Sequence, residues 1–164
     1  MIPKTAVIAT VYNEFSTIGQ LILAIKHQTI TPVEVVIVDG GSADNTYQIL
    51  QSEAKLWPKL RVYRVPGNRS VGRNFAANHT FAPVIAITDA GCIPDPNWLE
   101  ELVKPFADKS VHVVSGYYKA NASTIFEKCL TPYVLVMPDK APITEFFPST
   151  RSMALRRSVW QKSG

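Results

Sequence analysis

Residues 35–46 read VVIVDGGSADNT and decide the fold. Four apolar residues lead directly into Asp39, and two glycines and a cluster of small polar residues follow it. This order is typical of a buried strand that ends at a carboxylate, a tight turn, and a helix that begins at Ser42 or Asp44. Ligands of open α/β sheets bind outside the carboxyl ends of the strands. The stretch therefore predicts a ligand contact by Asp39 or, as the alternative, a turn that Asp39 only caps.

The same alternation of strand and helix runs through residues 1–117. In the first predicted helix, which Ser16 can cap, the apolar residues Ile18, Leu21, Ile22 and Ile25 share one face. Strands alternating with helices of this length indicate βαβ units. We therefore predict a Rossmann-like α/β fold, with a mostly parallel central sheet and helices on both faces. Strands are expected at residues 5–11, 33–38, 60–65, 84–88 and 111–115, and later helices at 46–57, 70–78 and near 98–106.

Residues 118–164 break this rhythm. Residues 124–137 are apolar but interrupted by Pro132, and Pro138, Pro142 and Pro148 follow. Prolines at this spacing disfavour one long helix. A strand at residues 152–156 and a helix from Ser158 are predicted next. A chain that stops as this helix reaches a glycine is typical of a piece of a longer protein.

Composition limits the classes of function. The 164 residues suit one domain, with 46% hydrophobic and 18% charged residues, and the net charge of +4 is scattered along the chain. Such a balance suits a phosphate-bearing small ligand or an anionic membrane surface, and it does not favour a nucleic-acid partner. Cys92 and Cys129 form no metal-ligand pair at their spacing. The sequence contains no membrane-spanning apolar run, so we expect a cytoplasmic protein, with a peripheral role at the inner face of the membrane left open.

Polar residues follow three of the predicted strands. Asn13 and Glu14 come after the first strand, Asp39 after the second, and Asp89 after the fourth. A parallel sheet aligns the carboxyl ends of its strands at one edge, so these side chains are expected to meet in a cleft.

Two short motifs supply candidate phosphate and metal contacts, although neither common glycine-rich phosphate fingerprint is present. Residues 68–74 read NRSVGRN and place Arg73 and Asn74 in the first turns of a helix, where backbone N–H groups favour an anion. Arg73 offers a bidentate grip on phosphate, or it is a solvated arginine on a helix surface. Asp89, in Asp-Ala-Gly, offers one carboxylate to Mg²⁺ or Mn²⁺.

The ordered set of motifs resembles the family 2 glycosyltransferases of the GT-A fold. The set comprises YNE after a strand, DGGSADNT, GRN on a helix, TDAGCIPDPNWL, and PSTRSMALRRSVW near the end. The resemblance implies transfer of a sugar from a nucleoside-diphosphate donor to an acceptor hydroxyl, usually with inversion. It also implies a role in cell-envelope or polysaccharide synthesis. The acceptor, whether a lipid, a polysaccharide or a small molecule, stays open.

The resemblance also implies roles for single residues. Asp39 corresponds to the residue that bonds the nucleotide base, Glu14 lies by the nucleoside, Arg73 lies near the diphosphate, and Asp89 begins the metal-binding motif. Residues 1–117 would form the nucleotide-sugar-binding core, and residues 118–164 the start of the acceptor side of the same domain. The expected donor-binding residues are Tyr12, Glu14, Asp39, Gly41, Arg73, Asn74, Asp89, Ala90 and Gly91.

Two departures from the family pattern are visible. The metal motif lacks its second carboxylate, because Gly91 stands there. The family's general base is expected beyond Gly164, so no catalytic residue is assigned and the 164 residues alone are expected to be inactive; Asp139 and Glu145 are weak substitutes. The alternative is a non-catalytic module that binds a nucleotide sugar. A nucleotidyltransferase would need a glycine-rich loop after the first strand, where YNE stands.

Three further groups have open roles. Cys92 is expected near the pocket, without reactivity. Trp98 is interpreted as core rather than as a platform for sugar. Arg151, Arg156 and Arg157 contact an acceptor or lipid phosphate, or they form the solvated face of a strand.

Overall fold

A computed structural model describes residues 2–135 and 149–163 of the chain. The predicted Pro138, Pro142, Pro148, Asp139 and Glu145 features lie outside these residues. The first part contains β1 (Thr5–Val11), α1 (Ile18–Lys26), β2 (Glu34–Asp39), α2 (Thr46–Leu56), β3 (Leu60–Arg64), α3 (Arg69–Asn78) and β4 (Val84–Asp89). It is followed by α4 (Trp98–Val103), a 3₁₀ helix (Lys104–Ala107), β5 (Val113–Ser115), α5 (Ile125–Val134), β6 (Met153–Arg156) and α6 (Arg157–Ser163).

The strands of the described residues form one six-stranded sheet in the order β3-β2-β1-β4-β6-β5. β3, β2, β1 and β4 are parallel neighbours, whereas β6 pairs antiparallel with both β4 and β5. In this register Val11 lies opposite Asp39, and Thr10 lies opposite Asp89. The prediction of a mostly parallel sheet is confirmed, and the polar residues after β1, β2 and β4 share one edge of it.

Apolar side chains pack on both faces of the sheet. On one face Val7 and Ala9 of β1 pack in a cluster with residues of α1, α2 and α4. On the other face Ile8 packs in a second cluster with Ala76 and Ala77 of α3. The predicted apolar face of α1 is confirmed, because Ile18, Leu21, Ile22 and Ile25 are all buried. Each such side chain contributes about 1.5–3 kcal/mol when fully buried.

Helix α3 lies unusually close to the sheet at Gly72. A Cβ atom at this position would lie 2.8 Å from Thr10 Cγ2 and 3.5 Å from Val38 Cγ1. Only glycine fits such an approach without a shift of the neighbouring side chains. The contact brings the beginning of α3 next to the carboxyl ends of β1 and β2.

Three predicted helix starts are wrong by a few residues. α1 begins after Thr17 rather than Ser16, and α2 begins at Thr46 rather than at Ser42 or Asp44. The side chain of Ser42 binds the loop after β1 instead, whereas Asp44 binds that loop through Oδ2 and accepts from the Thr46 N–H through Oδ1 at 3.0 Å. α3 begins at Arg69 rather than at residue 70, and its cap is Asn68, whose side chain accepts a hydrogen bond from the Val71 N–H.

The chain changes character after β5, as predicted. α5 begins with a capping box in which Thr124 and Glu127 satisfy each other's backbone N–H groups, and it ends two residues after Pro132. Hydrogen bonds from the Thr124 and Ser123 amides lower the pKa of Glu127 to about 2. β6 then returns to the centre of the sheet beside β4. None of the helices in the described ranges is long and apolar enough to cross a membrane.

Candidate functional site

A cavity of about 520 Å³ opens at the carboxyl ends of β1 and β4. Its volume lies within the range of sites that bind small molecules and cofactors. Five of the predicted donor-binding residues line it, namely Tyr12, Glu14, Asp89, Ala90 and Gly91. Its other lining residues are Thr10, Val11, Val38, Gly40, Gly67, Asn68, Arg69, Gly72, Cys92 and Arg151.

Four of the predicted residues do not line this cavity: Asp39, Gly41, Arg73 and Asn74. Asn74 is an exposed residue of α3, two positions beyond Gly72, which faces the sheet. Gly41 has a positive φ of 100° and shapes the turn after β2, whereas its neighbour Gly40 lines the cavity. The sequence motifs thus locate the turn after β2 and the first turns of α3, but in each of them a nearby glycine lines the cavity instead of the predicted residue.

Asp39 is fully buried and organises the turn after β2. Its Oδ1 atom accepts hydrogen bonds of 2.9 Å from the N–H groups of Gly41 and Ser42, and Arg64 Nε lies 3.5 Å away. This is the turn-capping alternative of the sequence analysis. The Oδ2 atom is buried without a partner among the described residues. Contact of Asp39 with a nucleotide base stays a prediction, and it requires the buried carboxylate to become accessible.

The polar residues after Asp39 hold the loop that follows β1. The Asn13 N–H donates to Ser42 Oγ at 2.9 Å, and the Glu14 N–H donates to Thr46 Oγ1 at 2.8 Å. In return, Asn13 Oδ1 accepts from the Ala43 N–H at 2.9 Å. Asn13 has a positive φ of 55°, which these three bonds hold in place. Tyr12 and Glu14 are therefore fixed at the cavity by the stretch that decides the fold.

Arg73 and Asp89 form an ion pair beneath the cavity. Arg73 Nη2 donates to Asp89 Oδ1 at 2.6 Å, and the two side chains are only 14% and 18% exposed. Arg73 Nε is buried without a partner among the described residues. Contact of Arg73 with phosphate stays a prediction. Arg73 orients Asp89 and compensates its charge.

Asp89 has one oxygen left for a cation. Among the described residues, its Oδ2 atom accepts a hydrogen bond only from Thr150, at a long distance of 3.4 Å. Within residues 2–135 and 149–163, no group of three or more acidic, histidine or cysteine side chains is arranged to hold a metal. The site thus fits Mg²⁺ or Mn²⁺ with one protein oxygen, the remaining ligands being substrate phosphates and water, an arrangement that Mg²⁺ commonly adopts.

Two arginines line the cavity without an acidic partner among the described residues, Arg69 of α3 and Arg151 of the loop before β6. Arg69 was missed by the sequence analysis, although its place directly after the cap Asn68 marks it as the first residue of α3. Arg151 was left open there. Cys92 lines the cavity, as expected, and burial raises the pKa of its thiol, which keeps it neutral.

Arg156 and Trp98, whose roles were open in the sequence, both make structural contacts. Arg156 Nε donates to Val111 O at 2.8 Å, and Arg156 Nη2 donates to Asp108 O at 2.9 Å and Phe106 O at 3.3 Å. This guanidinium is therefore occupied by backbone carbonyls. Trp98 packs against the core, as predicted, and its Nε1 donates to Ser152 Oγ at 2.9 Å.

The fold and the site define a ligand-binding α/β domain of the nucleotide-binding type. The sheet is mostly parallel with helices on both faces, and the cavity with its charged residues lies at the carboxyl edge. The chain belongs to glycosyl transferase family 2, whose family model matches residues 6–162. The expected GT-A fold is confirmed by the solved structures described below.

Curated relatives match most of this chain, but each match covers only part of the relative's own length. The O-antigen chain rhamnosyltransferase RfbN of Salmonella typhimurium is 30% identical over 171 residues, which cover 97% of this chain and 54% of RfbN. Glycosyltransferase AglE of Haloferax volcanii is 29% identical over 119 residues, 70% of this chain and 39% of AglE. The chain thus spans about a third to a half of the length of the curated relatives that it matches.

Solved glycosyltransferases share the fold. The mannosyltransferase PcManGT of Pyrobaculum calidifontis, in complex with GDP-Man and Mn²⁺, has a TM-score of 0.74 and 27% identity, covering 100% of this chain and 47% of that chain. Glucosyl-3-phosphoglycerate synthase of Mycobacterium tuberculosis, in complex with Mn²⁺, UDP-glucose and phosphoglyceric acid, has a TM-score of 0.68. It covers 96% of this chain and 57% of that chain, and at 19% identity it shows the common fold alone.

Proposed function

We propose that the cavity binds a nucleoside-diphosphate sugar and that the protein transfers the sugar to an acceptor hydroxyl. The observation that carries this proposal is the cavity of about 520 Å³ at the carboxyl edge of the sheet, lined by Asp89, Arg69 and Arg151. Family membership supports it, as do relatives that are named for sugar transfer. The neighbour PcManGT, solved with GDP-Man, makes a UDP- or GDP-linked sugar the donor class to test first.

The proposal also assigns the donor and the acceptor to different parts of the chain. Residues 1–117 supply most of the walls that hold the donor, and residues 118–164, which add Arg151 to the cavity, begin the acceptor side. A lipid, a polysaccharide or a small molecule remains the acceptor class, and contact with the inner face of a membrane is an expectation to test.

The proposed reaction is a single displacement with inversion. A base removes the proton of the acceptor hydroxyl, and that oxygen forms a bond to the anomeric carbon while the bond to the diphosphate breaks. Arginine side chains at the cavity stabilise the charge that develops on the leaving diphosphate. A divalent ion held at Asp89 Oδ2 would supply further charge neutralisation there. The base is not assigned to any described residue.

Calorimetry with the nucleotide and its parts tests the donor proposal. The purified chain is titrated with UDP, GDP and dTDP, with the matching nucleosides, and with the sugar-linked forms, each with and without Mn²⁺. We expect binding of one diphosphate with a Kd below about 1 mM, or about −4 kcal/mol, and weaker binding of its nucleoside. Absence of binding by all three diphosphates at millimolar concentration would refute the proposal.

A transfer assay separates the enzyme from the alternative, a module that binds the donor without using it. Donor consumption is measured for the 164 residues, for which we expect negligible turnover, and for a longer form that carries the general base expected beyond Gly164 from the family resemblance. Donor binding without turnover in the longer form would favour the binding module. Robust turnover by the 164 residues would place the base within them.

A further inference from the structure

We propose that Arg69 and Arg151 form a two-part clamp that binds the diphosphate of the donor. The inference rests on the proposed function and assigns to these two residues the contact that the family resemblance gives to Arg73. It is carried by three observations, which are the position of Arg69 on α3, the fixed backbone of Arg151, and the balance of charge around the cavity.

Arg69 lies at the N-terminal end of α3, where the helix favours binding of an anion. It is the first residue of this ten-residue helix and lines the cavity. The first N–H groups of a helix have no acceptor within the helix, and the helix dipole favours negative charge there. Asn68 fixes this turn by accepting a hydrogen bond of 3.0 Å from the Val71 N–H. The side chain of Arg69 adds a full positive charge to this electropositive end.

Arg151 approaches the cavity from a different element, beyond β4. Its loop is closed by a hydrogen bond of 3.0 Å from the Ser152 N–H to Ser149 O. Thr88 Oγ1 donates to Arg151 O at 3.2 Å, which ties the loop to β4. The guanidinium carbon lies 5.3 Å from the centre of the Tyr118 ring. These contacts hold the cation in place without neutralising it.

The balance of charge leaves these two arginines available to a ligand. Asp89, the nearest acid on β4, is already paired with Arg73, which does not line the cavity. Glu14 accepts a short hydrogen bond from Thr17, and no described arginine or lysine pairs with it. A third polar group, the hydroxyl of Thr10, lines the same cavity, and its oxygen is buried without a partner among the described residues. The cavity therefore has two arginine cations and an unpartnered hydroxyl that can bind an anion, and the Glu14 carboxylate lines the same cavity.

Arginine suits this role because its planar guanidinium matches two phosphate oxygens with two parallel N–H groups. Two guanidinium groups from separate elements can each hold one phosphate of a diphosphate. Arg73 binds Asp89 through Nη2 at 2.6 Å and does not line the cavity, so it is not part of the proposed clamp.

The test compares R69Q, R151Q and the double variant with R157Q by calorimetry. Arg157 carries the same charge but does not line the cavity, so it is the matched control. The probes are inorganic pyrophosphate, UDP or GDP, and the matching nucleoside. We expect each clamp variant to weaken diphosphate and pyrophosphate binding about tenfold or more, in line with loss of a hydrogen bond to a charged group. Nucleoside binding and R157Q should stay within about twofold of wild type, and R69K and R151K should fall between wild type and the glutamine variants.

The outcomes distinguish the clamp from the proposed function. If wild type binds a nucleoside diphosphate and both glutamine variants bind it equally well, the clamp is wrong and the proposed function stands. If pyrophosphate binding depends on both arginines but no nucleotide binds more tightly than pyrophosphate, the clamp stands and the nucleotide proposal fails. Absence of binding by pyrophosphate and by every nucleotide would overturn both. Unfolding temperatures within about 2 °C of wild type, which we expect for the exposed Arg69 and Arg151 and the half-buried Arg157, verify that the variants fold.

Discussion

Removing Arg73 tests the ion pair beneath the cavity. The R73M change keeps an unbranched side chain but removes the guanidinium. Among the described contacts, the Asp89 carboxylate, which is 18% exposed, then has only the long hydrogen bond from Thr150. The D89N change removes the charge while keeping an oxygen that can accept from Arg73. If the 2.6 Å contact is a strong pair, the two changes together should cost less than the sum of their separate costs.

The expected magnitudes follow from the burial of the pair. Breaking a fully buried pair by removing one partner costs about 3–5 kcal/mol, whereas an exposed pair is worth about 0–1 kcal/mol. Arg73 and Asp89 lie nearer the buried limit, but water still reaches part of each side chain. We therefore expect about 2–3 kcal/mol for R73M, about 1 kcal/mol for D89N, and a coupling energy of about 1.5 kcal/mol between them.

These values are measured by urea unfolding at 25 °C of wild type, both single variants and the double variant. The comparison requires that the four proteins have the same slope of unfolding free energy against urea concentration. Lys104 and Glu101 form an exposed pair at 4.0 Å and give a matched control cycle, for which the coupling should be close to zero. A coupling energy below about 0.5 kcal/mol for Arg73 and Asp89 would refute the assigned role of Arg73.

Three further predictions concern stability and metal binding. Glu34 accepts hydrogen bonds from Thr80 and from the Phe81 and Ala82 amides, which together with Arg61 outweigh burial and lower its pKa. This stabilisation is present above the ordinary pKa of 4.5 and is lost as the pH falls through the lower pKa of the folded protein. The difference in unfolding free energy between wild type and E34Q should therefore shrink below pH 4.5. A difference that does not change with pH would contradict the prediction. G72A should destabilise the fold by about 1–3 kcal/mol in urea unfolding, because the added methyl group would contact Thr10. G19A should not destabilise it, because the space around Gly19 is open. Equal effects of the two changes would contradict the close packing of α3. Mn²⁺ should strengthen diphosphate binding only moderately in calorimetry, and D89A should abolish that increment; an unchanged increment would remove Asp89 as the ligand.

The fold could be predicted because its signals are local. Apolar runs such as β1 and β2 are long enough to identify as strands, and the 3.6-residue periodicity of α1 shows which face it buries. The alignment of Asp39 and Asp89 at one edge follows from the parallel sheet alone. These features need no knowledge of distant contacts.

The details of the site depend on contacts between residues far apart in sequence. Ser42 and Asp44 look like helix caps, but they bind a loop 29 residues earlier in the chain. Arg73 is predicted to bind phosphate, but its pairing with Asp89, 16 residues later in the chain, is not visible in the sequence. Arg151 lines the cavity because β6 inserts next to β4, a pairing that no local pattern in the sequence specifies.

The central claim, that the cavity at the sheet edge binds a nucleoside diphosphate, is tested most directly by an NMR titration that follows the glycine amides. Four glycines line the cavity: Gly40, Gly67, Gly72 and Gly91. Gly19 and Gly116 do not line it and serve as internal references. Addition of UDP or GDP should shift the amide signals of the first set in a saturable way while the references stay in place. Saturable shifts confined to the reference glycines, or no shifts at millimolar nucleotide, would contradict the account.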